Sequence, residues 1–182
     1  MDGVGHVDVP QLPSIWQLED LLNRRSVGAA LEYLSQFLPH RFTVFSVLRG
    51  MEFEAEYLID KEGVLCASDM APSGFIGSYC ELAMINGSLV ITDSLKDPRV
   101  QKSRYRDLYR SYVGMPMRTG NNKMFGIICF ADLVPQPGPD CTQYQFFRTA
   151  ASMIASAADP GREHMYLCLL YTSDAADDTP CV

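Results

Sequence analysis

The sequence predicts an α+β fold in which helices cover an antiparallel sheet. Between positions 52 and 60, apolar residues alternate with three glutamates, as in a strand with one covered side and one exposed side. A Gly-Asn-Asn turn at 120–122 separates two further apolar segments, which predicts a hairpin. Amphipathic helical spacing recurs near both ends of the chain. The apolar residues that the first alternation assigns to one face are Phe53, Ala55, Tyr57 and Ile59.

Two helical segments precede the strands. Ser14 followed by Gln17 forms a capping-box pattern and begins the first segment. Ser26 begins the second segment, which Pro39 ends because proline cannot continue a helix. The spacing is also consistent with one bent helix.

A last helix begins at Asp140. Asp140 and Gln143, three residues apart, form a second capping-box pattern. Two interpretations of its apolar seam remain open. The seam packs on the sheet of its own domain, or it also pairs with a second copy of the chain. The residues of this seam, at alternating spacings of three and four, are Tyr144, Phe147, Ala151, Ile154 and Ala158.

The predicted strands alternate with turns. Phe42–Arg49 and Glu52–Asp60 are joined across Gly50, and residues 64–67 are expected to form a short third strand. Residues 88–92 are rich in β-branched side chains and predict a fourth.

Two helical segments flank the fourth strand. Residues 75–85 have helical spacing and stop at Asn86-Gly87, a natural left-handed C-cap. Asp97-Pro98 begins a polar helical crossover that runs to about Arg110.

The last two strands, Ser111–Arg118 and Met124–Asp132, form the predicted hairpin and belong in the interior of the sheet. The second has two apolar faces. They are Phe125, Ile127 and Cys129 on one side, and Met124, Ile128 and Phe130 on the other.

Length and composition limit the number of domains and the classes of partner that the chain can have. The 182 residues, 47% hydrophobic, suit one domain with extra segments at its ends. A net charge of −7 argues against a nucleic-acid surface. Six cysteines and three histidines lack zinc-site spacing. No leader or bilayer-length apolar run is visible, so a cytoplasmic location and no membrane contact are expected.

A set of short motifs resembles the GAF domain, a small-molecule-binding sensory module. The motifs are S-Y-C at 78–80, N-G-x-L-V-I-T-D at 86–93, D-P-R at 97–99, S-Y-V-G-M-P-M at 111–117 and F-G-I-I-C-F-A-D at 125–132. The resemblance covers residues 26–158, which leaves an arm and connecting helix at 1–25 and a tail at 159–182. It implies a PAS-related antiparallel sheet with helices on one face and crossover segments over a pocket on the other.

The resemblance also implies which residues surround the pocket. Each has a structural alternative: Asp93 caps its own turn, Arg99 pairs with Asp97, and the aromatic residues belong to the core. The ligand and any cofactor stay unidentified. The implied ligand-binding residues are Phe75, Tyr79, Cys80, Asp93, Arg99, Tyr105, Tyr112 and Met115.

Cys80 has three interpretations. It is a buried small hydrophobe, a reactive thiol, or a chromophore attachment site. Bilin-binding relatives usually have histidine after this cysteine, whereas Glu81 follows here. Free methionine sulfoxide reductases resemble the chain through Cys66 and Cys80, but their crossover cysteine is missing between Asp97 and Arg110.

The resemblance implies a non-enzymatic regulatory domain that binds an unidentified small molecule, pairs as a homodimer through its N- and C-terminal helices, and signals to a missing output domain. The alternatives are a dimerising spacer with a vestigial pocket and, more weakly, a reductase-like thiol enzyme. The segment C-L-L-Y-T-S-D-A-A-D-D at 168–178 resembles translated sequencing-adapter sequence. We therefore expect the tail to be an artefact.

Overall fold

A six-stranded antiparallel sheet forms the centre of the computed structural model, which describes residues 13–119 and 122–158. The predicted adapter-like tail and most of the N-terminal arm lie outside these residues. The strand order is β3-β2-β1-β6-β5-β4, so the predicted hairpin strands are both interior. The strands are β1 (Phe42–Arg49), β2 (Glu52–Asp60), β3 (Ser73–Gly74), β4 (Leu89–Ile91), β5 (Ser111–Arg118) and β6 (Met124–Asp132).

Three helices cover one face of the sheet and a fourth lies on the other. The covering helices are α1 (Ile15–Asn23), α2 (Val27–Ser35) and α4 (Cys141–Ala158), and the fourth is α3 (Tyr79–Asn86). Both helices begin at a serine N-cap, since Ser14 accepts from the Gln17 amide and Ser26 from the Ala29 amide. The predicted capping box at Ser14 is only half formed, because the Ser14 amide donates to the Tyr33 hydroxyl at 2.7 Å instead of to Gln17. The first two helices are separate, because Arg25 between them takes a left-handed φ of 56°.

The helix-face core contains Leu18, Leu31, Phe130, Phe147 and Ile154, all of them fully buried or nearly so. Full burial of one such side chain contributes roughly 1.5–3 kcal/mol. The α4 seam points into this core, which confirms that it packs on its own domain. Its pairing with a second copy stays a prediction, as does the boundary at residue 25.

The cavity-face core, on the opposite side, contains Phe53, Leu89, Ile91, Tyr112 and Ile127. Gly87 ends α3 with a φ of 80°, as the Asn-Gly pair predicts. The strand expected at 88–92 is confirmed as β4.

A β-bulge changes the predicted faces of β2. Its register with β1 shifts halfway along the pair, and a bulge reverses which side later residues face. Phe53 and Ala55 join the cavity-face core as one set, whereas Ile59 joins the helix-face core and Tyr57 stacks on Phe45 there. The prediction that all four apolar residues share one face is wrong for this reason.

A second register shift affects the start of β6, opposite Met117 and Arg118. Met124 packs on the cavity-face core and Phe125 on the helix-face core, the reverse of the predicted assignment. Beyond the shift the predicted alternation is confirmed. Ile127 and Cys129 face the cavity side, while Ile128 and Phe130 face the helices.

Two predicted elements are wrong. Residues 64–67 form no strand, because the amides of Val64 and Leu65 donate to the Asp60 carboxylate instead of to a neighbouring strand. The crossover after Asp97 has only a 3₁₀ turn at Pro98–Val100, followed by further turns. No helix in the described ranges is long and apolar enough to cross a bilayer.

Candidate functional site

A cavity of about 410 Å³ lies between the sheet and the segments that cross its second face. This position confirms the predicted pocket opposite the covering helices. Its floor comes from Phe42 and Val44 of β1, Leu58 of β2, and Cys129 and Ala131 of β6.

Asp60 shapes the loop that closes one side of the cavity. Its carboxylate is fully buried and accepts from Arg41 Nε at 2.8 Å and Nη2 at 2.9 Å. It also accepts from the amides of Glu62, Val64 and Leu65 at 3.1–3.2 Å. The Arg41 hydrogen bonds hold the pKa of Asp60 well below its usual range. The loop that follows lines the cavity with Leu65 and residues 69–73.

The N-terminus of α3 forms the opposite side. Ser78 caps the helix by accepting from the Glu81 amide at 3.0 Å, and its hydroxyl donates to the Phe75 carbonyl at 2.7 Å. This cap fixes the direction of the first helical turn. Tyr79 and Cys80 therefore line the cavity.

Four tyrosines form the third side, which we call the tyrosine wall: Tyr79, Tyr105, Tyr109 and Tyr112. Ring centroids of Tyr79 lie 5.3 Å from Tyr112 and 6.4 Å from Tyr105, with interplanar angles of 62° and 65°. Tyr105 and Tyr109 are 6.1 Å apart at 43°. The rings come from α3, the crossover and β5, so the wall exists only in the folded chain.

Hydrogen bonds hold the crossover over the cavity in place of a regular helix. The Ser103 hydroxyl donates to the Gly77 carbonyl at 2.8 Å, and the Ser94 hydroxyl donates to the Arg106 carbonyl at 2.6 Å. The Tyr79 hydroxyl donates to the Tyr109 carbonyl at 3.2 Å.

Gly114 sets the position of the Tyr112 ring. A Cβ at Gly114 would lie 2.6 Å from both Cε1 and Oη of Tyr112, so the missing side chain leaves the space in which that ring lies. The ring then reaches Cys80, with Tyr112 Oη 3.3 Å from Cys80 Sγ.

The thiols of Cys80 and Cys129 and the phenol of Tyr112 lie within hydrogen-bonding reach of one another at the cavity. Hydrogen bonding with Cys129 lowers the pKa of Cys80, and the same contact, together with burial, raises the pKa of Cys129. Burial raises the pKa of Tyr112. Because each ionisation opposes the next, the group favours at most one negative charge.

The structure brings four of the eight predicted site residues to the cavity: Tyr79, Cys80, Tyr105 and Tyr112. Phe75 stacks on Phe53 at 5.8 Å in the adjoining core. Met115 lies in the helix-face core, on the other side of the sheet.

The two charged candidates make local contacts instead. Asp93 pairs with Arg110 at 2.7 Å and accepts from the Leu95 amide at 3.2 Å, as its capping alternative predicts. Arg99 binds Asp97 and donates to the Val90 carbonyl at 2.7 Å. Neither side chain lines the cavity.

Sequence reasoning missed several cavity residues. Tyr109 stands four positions after Tyr105, and its amide donates to the Tyr105 carbonyl at 2.9 Å. The predicted helical crossover would have placed the two rings on one face, so this spacing was the available signal. Cys129 was assigned to a face but not to the site. Asp69 and the loop around it gave no signal at all, because their position depends on Asp60.

Comparisons with known proteins agree with this architecture. No family model and no curated protein matches the sequence. The free methionine-R-sulfoxide reductase from Neisseria meningitidis, in complex with its substrate, is 13% identical with a TM-score of 0.65 over 86% of this chain and 98% of that one. A putative GAF sensor protein from Burkholderia vietnamiensis is 12% identical, with a TM-score of 0.61 over 79% and 89%.

A third solved structure, the GAF domain of an Acinetobacter phosphoenolpyruvate-protein phosphotransferase, is 11% identical, with a TM-score of 0.61 over 78% of this chain and 88% of that one. The chain has a GAF fold. At these identities the similarity establishes the fold alone, so the chemistry of this GAF fold has to be argued from its own cavity.

The cavity of this GAF fold offers hydroxyls, thiols, the Asp69 carboxylate and apolar surface. Within residues 13–119 and 122–158, no group of three or more His, Cys, Asp or Glu is placed to hold a metal ion. The arrangement suits the binding of a small organic molecule. The groups in it that could react with such a molecule are the thiols of Cys80 and Cys129.

Proposed function

We propose that this GAF domain is a non-enzymatic regulatory domain whose cavity binds a small molecule. The cavity carries the proposal, because its volume of about 410 Å³ falls in the range of roughly 300–1,000 Å³ that is typical of ligand pockets. Its lining is mainly apolar, with a small number of polar groups that can orient a ligand.

Several of those polar groups are available to a ligand. The hydroxyls of Ser46, Tyr105 and Tyr109 line the cavity and make no hydrogen bond within the described part of the chain. A polar group in an apolar pocket is costly to leave unpaired, so a ligand that bonds these hydroxyls gains affinity and orientation.

A contact between the cavity elements and α4 provides a route for the signal. The N-terminus of α3 lines the cavity, and Ser88, just after its C-terminus, lies 2.6 Å from the Tyr144 hydroxyl of α4. A ligand that prefers one position of α3 thereby biases the position of α4. In this proposal α1 and α4 pair two cytoplasmic protomers and pass the change to an output domain.

Native mass spectrometry of the purified protein tests the proposal. We expect a dimer that carries the extra mass of a small molecule. Ala71→Trp places an indole at the cavity lining and should release that mass, whereas Ala157→Trp, on the exposed side of α4, should retain it. The chain is a dimerising spacer if two results coincide. The parent carries no extra mass, and no compound from a fragment library stabilises the parent without also stabilising Ala71→Trp. A monomer would remove the homodimer from the proposal.

A thiol reductase is the second candidate, because Cys80 and Cys129 share the cavity and the Neisseria reductase has a similar fold. The two thiols would reduce a sulfoxide to a thioether and form a disulfide, with the sulfoxide oxygen and both thiol hydrogens leaving as water. Free methionine-R-sulfoxide incubated with the protein and dithiothreitol should yield no methionine beyond the protein-free control. Turnover that Cys80→Ser abolishes and Cys141→Ser, at an exposed position, preserves would establish the enzyme instead.

A further inference from the structure

The described lining of the cavity carries a negatively charged side chain and no positively charged one. Among the described residues that line it, Asp69 is the single carboxylate, and no lysine, arginine or histidine takes part. An anion bound here would lose its hydration without gaining a cationic partner, which is strongly unfavourable in an apolar pocket. A ligand without negative charge meets no such penalty.

The basic residues around the cavity are bound elsewhere. Arg104 Nη2 donates to the Gly74 carbonyl at 2.6 Å, and Arg106 Nη2 donates to the Leu95 carbonyl at 3.0 Å. Arg110 pairs with Asp93. Recruiting one of these guanidinium groups to an anion would break a contact that holds the crossover, although the Nε atoms of Arg106 and Arg110 have no hydrogen-bond partner among the described residues.

The tyrosine wall brings four rings to the cavity from three separate elements. Its neighbouring rings meet at 43–65°, so they pack edge to face or tilted instead of in a parallel stack. Aromatic faces attract cations through the ring quadrupole, and several rings around one space are the usual means of holding an ammonium group. Arg104 already lies 5.0 Å over the Tyr105 ring, which occupies one side of that ring with a cation.

Asp69 supplies the matching negative charge. Its Oδ2 accepts from the Cys66 amide at 2.8 Å and from the Cys66 thiol at 3.0 Å, whereas Oδ1 makes no hydrogen bond within the described residues. The Cys66 thiol, followed by the Cys66 amide, lowers the pKa of Asp69, so the carboxylate stays ionised at neutral pH. Asp69 is exposed and belongs to the loop that lines the cavity, so its charge lies on the solvent side of the lining.

We propose that the ligand of this cavity is a compact organic cation, a quaternary ammonium or a protonated amine, held by the tyrosine wall with Asp69 as its counter-ion. This inference rests on the proposed ligand-binding function and specifies the charge of the ligand. It excludes phosphorylated and carboxylated ligands from the site.

Three probes test the sign of the charge by isothermal titration calorimetry at constant ionic strength. Choline and 3,3-dimethylbutan-1-ol have the same shape and differ in charge, and cyclic GMP represents an anion of nucleotide type. We expect choline to bind roughly tenfold more tightly than the alcohol, because the cation–π attraction adds to the same apolar contact. Cyclic GMP should not bind.

Asp69→Asn gives the second part of the test. It should weaken choline binding by roughly three- to tenfold and leave the affinity for the alcohol unchanged. Asp107→Asn is the matched control, because Asp107 has an exposed carboxylate outside the cavity lining, and it should change neither affinity.

Three outcomes overturn the inference: equal or tighter binding of the alcohol, binding of cyclic GMP, and no binding of choline. Each is distinguishable from a failure of the proposed function. If Ala71→Trp releases a neutral or anionic molecule, the cavity still binds a ligand, and only the inference that this ligand is a cation fails.

Discussion

Replacing Gly126 with alanine should destabilise the domain by about 3 kcal/mol, an overpacking effect at the upper end of the usual range. Gly126 lies in β6, paired with Val47 of β1 on one side and Met117 of β5 on the other. A Cβ there would lie 2.2 Å from the Ser46 carbonyl oxygen and 3.1 Å from Val47 Cα. Both are backbone atoms in the centre of the sheet, so the strands themselves would have to separate. The melting temperature should fall by roughly 10 °C, measured by circular dichroism.

Gly28→Ala is the matched control, because it makes the same chemical change in α2. Its added methyl would lie 3.4 Å from the Tyr57 ring, an ordinary contact. Alanine also has the higher helix propensity, so this variant should be neutral or more stable by up to about 1 kcal/mol. Equal melting temperatures for Gly126→Ala and the parent would show that β1 and β6 do not approach as closely as the structure has them.

Local patterns predicted most of the elements of this fold. Ser14, Ser26, Gly87 and the Asp140–Gln143 pair act through bonds within a few residues of themselves, so the sequence around them contains the whole cause. In β2 and β6, by contrast, the prediction of which side each residue faces depended on period-two alternation. Such alternation assigns a side correctly only while the ladder is unbroken, and one bulge in each strand reverses it.

The resemblance to the GAF domain, and not a local pattern, placed Tyr79, Cys80 and Tyr112 at the candidate site. The structure supplies the physical cause, since the Ser78 cap directs the first two side chains and β5 carries the third. The loop that lines the cavity is shaped by Asp60, whose carboxylate binds Arg41 in the segment between α2 and β1. No local pattern specifies that pairing.

The crossover shows the same limit. Its Asp-Pro start and polar composition favour a helix, but its arginines bind carbonyls of other segments and its backbone turns to follow them. Tertiary contacts override the local preference here. Tyr105 and Tyr109 still share one helix-like turn, because the Tyr109 amide donates to the Tyr105 carbonyl at 2.9 Å. The position of this turn over the cavity depends on the tertiary contacts of the crossover.

His40 should make the domain lose stability between pH 6.5 and pH 4. His40 is 1% exposed, and neither Nδ1 nor Nε2 has a hydrogen-bond partner in the part of the chain that the structure describes. Burial lowers the pKa of His40 from 6.5 to about 4, with Asp132 opposing the shift and Lys61 adding to it. The folded state therefore excludes a proton that the unfolded chain binds. Stability is complete above pH 6.5 and falls by about 3 kcal/mol as the pH drops through the folded pKa, measured by urea unfolding.

His40→Leu removes the titrating group and the two unpaired nitrogens at similar volume. We expect it to be at least as stable as the parent at pH 7 and to flatten the pH dependence between 6.5 and 4. His6→Gln removes a histidine outside the described residues and should keep the parental slope. The buried Asp60 has a lowered pKa, so its own contribution is lost only below about pH 4 and does not overlap this window. An unchanged slope in His40→Leu would assign the acid sensitivity to other groups and show that the imidazole is hydrated or paired in solution.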